Sequence, residues 1–120
     1  MSENARQYDL EERTEKFAKD VRGFCKKIKV SIVNADDIRQ VIRSSGSVGA
    51  NYIEANESFS KKDFIHRIKI CRKEAKETRY WFSVLDLNQE DLKEEKDKLF
   101  QEASELMKIF AAILRKTEMA

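Results

Sequence analysis

Proline is absent from all 120 residues, glycine occurs three times, cysteine twice and histidine once. Average usage would place roughly 6 prolines in this length. A chain so poor in both turn residues is set against loop-rich and all-β architectures and toward long helices. Net charge is also nearly missing: 24 Lys and Arg face 22 Asp and Glu, leaving +2 although 38% of residues are charged. No global field therefore marks the chain for nucleic acid or a membrane surface. No apolar run approaches the roughly 18 residues needed to cross a bilayer, and the segment Met1–Arg6 has no signal-peptide core. These absences predict a non-membrane, cytoplasmic protein, with residues 1–120 forming one domain. Cys25 and Cys71 sit in apolar helical patterns without C-x-x-C spacing, which predicts buried reduced thiols and neither disulfide nor metal site.

One local pattern occurs three times: Val33-Asn34-x-x-Asp37-Ile38, Phe59-Ser60-x-x-Asp63-Phe64 and Leu87-Asn88-x-x-Asp91-Leu92. Each reads as a helix start. Asn or Ser caps an orphan amide, Asp at the third position favours the positive helix end, and the flanking apolar pair forms a hydrophobic staple. With a weaker start at Tyr8-Asp9-Leu10, the chain divides into helices over about 9–29, 35–57, 61–85 and 89–117. Periodicity agrees. Leu10, Thr14, Phe17, Val21, Phe24 and Ile28 alternate steps of four and three, as do Phe64, Ile68, Cys71, Ala75, Thr78, Phe82 and Leu85. Leu99, Ala103, Leu106, Phe110 and Ile113 form a similar seam in the last helix. Short connections make consecutive helices antiparallel, so the predicted fold is all-α, an up-down-up-down four-helix bundle.

Three features remain after the bundle is built. On the third helix Lys61, Lys62, Lys69, Arg72, Lys76 and Arg79 share an arc of roughly 100° without an acidic residue. The segment Phe59–Leu85 holds 8 basic and 3 acidic residues. The strip has two readings, a solvated face balanced by acids on neighbouring helices or a phosphate-contacting surface. Ile70, Trp81 and Val84 lie away from that helix's seam, and Phe100, Met107 and Leu114 form a second stripe on the last helix. Such surplus apolar surface reads either as a homo-oligomer interface or as wide packing inside the monomer. Finally, Ser44 to Ile53 is a run of ten uncharged residues, with Arg43, Ser47, Asn51, Glu54 and Ser58 projecting to one side. This run reads as a helix crossing or as a polar binding site.

Ser45-Gly46-Ser47-Val48-Gly49-Ala50-Asn51-Tyr52-Ile53-Glu54-Ala55, followed by Asp63-Phe64, the stretch Ile70–Glu77 and Trp81, resembles a bacterial four-helix-bundle family. That family is named for proteins encoded in intervening sequences of large-subunit ribosomal RNA genes. The signature falls on Arg43, Ser47, Asn51, Glu54, Asp63, Phe64 and Glu77. The resemblance implies assembly into a cyclic homopentamer. It also implies a relation to the accessory protein of diversity-generating retroelements, whose partners are reverse transcriptase and nucleic acid.

Catalysis finds little support in the residues. The sole histidine, His66, has no Glu three positions before it, as a bundle di-iron site requires. Neither phosphate-binding glycine motif occurs, and no nucleophile is paired with a base. The sequence thus predicts a non-enzymatic module without cofactor or metal. It contacts RNA or an RNA–protein complex through the third-helix strip, or it serves as a protein scaffold with no nucleic-acid role.

Overall fold

The apolar seams dictate the packing, and the computed structural model describes it for residues 3–120, with side chains from Asp9 onward. The helices are α1 (Glu3–Cys25), α2 (Ala35–Asn56), α3 (Lys61–Val84) and α4 (Lys93–Met119), with a 3₁₀ turn at Glu90–Leu92 leading into α4. Among the described residues there is no strand. Contacts between helix ends fix the directions. Asn56 bonds to Glu11, Asn34 to the Asp86 carbonyl, Lys27 to Glu95 and Lys61 to the Ala120 carbonyl. Each helix therefore runs opposite to its neighbours in an up-down-up-down bundle measuring 47 × 25 × 20 Å.

Phe17, Val21 and Phe24 of α1, Val41 and Val48 of α2, Ile68, Cys71 and Phe82 of α3, and Leu106 and Phe110 of α4 are buried together. Phe24 meets Phe82 edge to face with ring centroids 6.0 Å apart, and Tyr52 meets Phe110 at 5.9 Å. α2 packs on both α1 and α3, and α3 on both α2 and α4, whereas α1 and α4 touch more sparingly. There Arg13 clasps Glu102 with two bonds of 2.7 Å and reaches Glu105 at 2.6 Å.

The uncharged run of α2 is explained by three neighbours. Ser44, Ser45, Val48 and Tyr52 face the core. Ser44 donates to the Gln40 carbonyl at 2.7 Å, and Thr78 Oγ1 lies 2.8 Å from both Ser44 Oγ and the Glu74 carbonyl. Gly46 and Gly49 face α1: a Cβ at Gly49 would lie 2.9 Å from Thr14 Oγ1 and 3.2 Å from Thr14 Cβ. The α1–α2 crossing depends on that missing side chain. Gly49→Val is expected to cost about 1–3 kcal/mol through overpacking, read as a lower thermal midpoint with helicity retained at low temperature.

The three similar helix starts are solved in three different ways. Only Ser60 caps as predicted, accepting from the Asp63 amide at 3.1 Å. Asn34 turns its side chain backward into the preceding loop and makes no cap bond. Asn88 is not a cap at all; it adopts a left-handed φ of 53° ahead of the 3₁₀ turn, and α4 begins four residues later than predicted. The staples diverge too. Leu87 and Leu92 are both buried, but Val33 and Phe59 stand exposed, so their starts lack that contact. α1 also departs from its predicted span. It begins at Glu3, upstream of the expected start, where the Tyr8 side chain lies outside the described residues. It ends at Cys25 because i→i+3 bonds from Lys27 to Phe24 and from Ile28 to Cys25 tighten the last turn before Val30-Ser31-Ile32-Val33.

Candidate nucleic-acid interface

α3 supplies the candidate surface because one side of it has no acidic side chain. Lys61, Lys62, Lys69, Arg72 and Lys76 are exposed there. Among the described residues, none of the five has a carboxylate within 4.0 Å, although charged pairs are common elsewhere, such as Lys16–Asp20 and Lys27–Glu95. Lys61 at the end of the strip donates to the Ala120 carbonyl at 2.5 Å. Lys62, Lys69, Arg72 and Lys76 remain, along about 21 Å of helix.

Arg79 is separated from this set. It is half-buried, its guanidinium carbon 5.2 Å above the Phe100 ring and one nitrogen 3.9 Å from Met107 Sδ. A wheel superimposes Arg79 on Lys61; only α4 shows that Arg79 is spent on the α3–α4 seam. The same contact accounts for the second stripe of α4. Phe100 and Met107 pack against the core and Leu114 is buried, so this stripe belongs to the monomer and not to surplus surface.

The acids of α3 explain why the strip stays positive. Glu74 and Glu77 turn toward α2, where Arg43 takes both, at 3.3 Å to Glu74 and in close contact with Glu77. One turn or more away, Asn51 donates to the Ser47 carbonyl and hydroxyl at 2.9 Å each and accepts from Arg67 at 3.1 Å. The signature residues thus form two adjacent groups spanning α2 and α3. Glu54 joins neither; its side chain is exposed, and its backbone carbonyl accepts from the Ser58 hydroxyl and the Glu57 amide at the end of α2. Glu74 and Arg67 were not foreseen as members. The spacing of Glu74 and Glu77, three apart, is the one sequence signal for the first of them.

Trp81 is half-buried against the core cluster, its Nε1 buried with no partner among the described residues. Ile70 is half-buried and Val84 is 43% exposed. The exposed apolar side chains lie elsewhere than a wheel of α3 indicates: Val30, Ile32 and Val33 in the α1–α2 connection, at the end of the bundle where α3 carries Tyr80 and Val84, and Ile53, Phe59 and Met119 toward the opposite end. The surface also holds two residues absent from the predicted strip. Lys73 and Tyr80 are both exposed and lie within about 20° of Lys62 on the helix. Lys73 falls just outside the arc used to define the strip, and Tyr80 carries no charge to draw attention.

Cys25 and Cys71 are free and buried. Burial pushes the Cys25 thiol up to about 11 and the Cys71 thiol up to about 12. Since the folded values lie above the ordinary value of 9.0, the thiols cost no stability below pH 9; as pH rises beyond it the unfolded chain ionises first and stability falls. Alkylation at pH 8 is therefore expected to be slow in native protein and fast in denaturant, checked by mass spectrometry. Among the described residues, no three His, Cys, Asp or Glu side chains are grouped to hold a metal ion, and no helix is long and apolar enough to cross a membrane.

An all-helical bundle with one cationic helix face and a paired Arg43–Glu77 network is the class these features define. The chain belongs to the 23S rRNA-intervening sequence protein family, whose model matches residues 6–112. It is similar to a crystal structure of a protein with unknown function from the S23 ribosomal protein family of Bacteroides thetaiotaomicron. The TM-score is 0.76 at 27% identity, covering 91% of this chain and 97% of that one. No curated protein matches the sequence.

Proposed function

We propose that the chain is a non-enzymatic, homo-oligomeric binding module that contacts RNA or an RNA–protein complex through the outer face of α3. The observation that carries this reading is the set Lys62, Lys69, Arg72 and Lys76. These four exposed cations lack carboxylate partners among the described residues, on a chain whose charges otherwise balance. Unpaired cations along one helix are suited to a phosphate backbone, where release of condensed counterions supplies the affinity. Assembly as a cyclic pentamer is what the resemblance in the signature residues implies, and the exposed Val30, Ile32, Val33 and Val84 supply apolar surface for it beside Ile70 and the accessible part of Trp81. Five strips on one ring would convert weak contacts into avidity.

A protein adaptor is the second reading, favoured by the exposed Val30, Ile32, Val33 and Val84 at one end of the bundle. Solution mass and nuclease treatment separate the two. The proposed reading expects a particle near five times 14.1 kDa that co-purifies with nucleic acid and loses its partners on nuclease digestion. A 14 kDa particle would remove the oligomer, and partners that survive digestion would favour the adaptor. Trp81→Glu is a poor probe of assembly, because the carboxylate would be set against the monomer core. Val84→Glu, on an exposed site, tests it without that cost.

A further inference from the structure

We infer that Tyr80 is a stacking platform for an unpaired base, and that the α3 surface therefore selects single-stranded over duplex RNA. This rests on the reading of the strip as a phosphate-contacting surface and specifies its ligand. Three observations carry it. Tyr80 is 57% exposed, whereas the other aromatic residues of α3, Phe64, Trp81 and Phe82, are half-buried or buried. Its position on the helix is that of the cations: it follows Lys62 by five turns, Lys69 by three and Lys76 by one. Its ring is also braced. Trp81 meets it edge to face, with centroids 5.1 Å apart and planes at 77°, and Trp81 itself packs on the core.

A braced, exposed ring at the end of a row of cations is arranged for two kinds of contact at once. Phosphates of a strand lying along α3 meet Lys69, Lys73 and Lys76, while a base one step further meets the Tyr80 ring. Holding the ring against Trp81 before binding reduces the ordering cost that a free side chain would bear. Every base offers a π-face, so stacking adds affinity without sequence preference. In a duplex those faces are already stacked on one another, so the ring contributes only when the strand is single.

The test compares wild type, Tyr80→Ala, Tyr80→Leu and Tyr80→Phe in binding to a short oligouridylate, an RNA duplex and inorganic polyphosphate at low salt. Circular dichroism establishes that each variant is folded, and Tyr80→Leu keeps an apolar contact on Trp81 without the ring. The expected result is a loss of about tenfold for oligouridylate in both Tyr80→Ala and Tyr80→Leu. Polyphosphate and duplex binding should be unchanged, and Tyr80→Phe should bind as wild type does. The sole tryptophan, beside Tyr80, should change its fluorescence on adding oligouridylate and not polyphosphate. Wild-type affinity for oligouridylate in the Ala and Leu variants would overturn the stacking role and leave the strip intact. An equal loss on polyphosphate would overturn it too, since the ring would then be shaping the cations. Failure of wild type to bind any of the three would bring down the strip and the platform together.

Discussion

Reversing three charges at once, in Lys69→Glu, Arg72→Glu and Lys76→Glu, should lower affinity for single-stranded RNA by about a hundredfold or more at low salt. It should also reduce the salt dependence by about 2 in log–log slope, at roughly 0.7 for each phosphate that is no longer neutralised. The fold should be indifferent. All three side chains are exposed and none has a carboxylate within 4.0 Å among the described residues, so no packing or ion pair is removed. Surface changes of that kind usually alter stability by less than about 0.5 kcal/mol each. Arg79→Glu is the informative contrast. Its guanidinium lies over Phe100 and beside Met107, so reversal there should lower the melting temperature. Equilibrium binding and thermal melts on the two variants separate a binding residue from a packing residue that share one helix.

Asn34→Ala should destabilise the bundle as much as a change within the core can, although Asn34 lies outside the apolar core. The side chain is 1% exposed. Its Oδ1 accepts from the Ser31 amide at 2.8 Å, and its Nδ2 donates to the Lys29 carbonyl at 3.2 Å and to the Asp86 carbonyl at 3.1 Å. One amide thereby joins the α1–α2 connection to the α3–α4 connection. Alanine would remove all three bonds at once; at about 1 kcal/mol for each the expected loss is about 2–3 kcal/mol. In a domain of this size that is a fall of about 10 °C in the melting temperature. Asn34→Asp should not rescue it, because the carboxylate keeps the acceptor but loses both donors and buries a charge. RNA binding at temperatures where the variant is folded should equal that of wild type, since the Asn34 side chain is turned into the connection between α1 and α2 and away from the strip.

Much of this architecture is legible in the residues because helical seams are a local property. Phe17, Val21 and Phe24, or Ile68, Cys71 and Ala75, announce their buried face by spacing alone, and all six are buried. The cationic strip is legible for a similar reason, since a wheel registers the absence of acids. What a wheel lacks is the neighbour. It cannot tell Arg79, drawn onto Phe100, from Lys76, which stays in solvent, nor show that Phe100 and Met107 are already covered. Trp81 illustrates the same limit: on its own helix it lies off the seam, yet the bundle half-buries it.

The helix starts mark a second boundary. Asn34, Ser60 and Asn88 share one local pattern, but only Ser60 is free to cap. Asn34 is recruited by carbonyls at Lys29 and Asp86, the latter 52 positions away, and the chain at Asn88 must turn with φ of 53° to bring Leu87 and Leu92 into the core. Long-range demands override a local preference worth about 1 kcal/mol. Among the signature residues, Arg43 and Glu77 are brought together as a pair spanning α2 and α3, whereas Glu54 stands apart in solvent. No spacing within α2 distinguishes Glu54 from Ser47 or Asn51, because the partners that do so sit on α3.

Whether four cations on α3 meet phosphates is tested most directly by titrating the affinity of wild-type protein for a short single-stranded RNA against salt. Four contacts predict a log–log slope of about −3 for a single strand, with tight retention at low salt that disappears as salt rises. An affinity that does not change with salt, or no binding at the lowest salt, would contradict it.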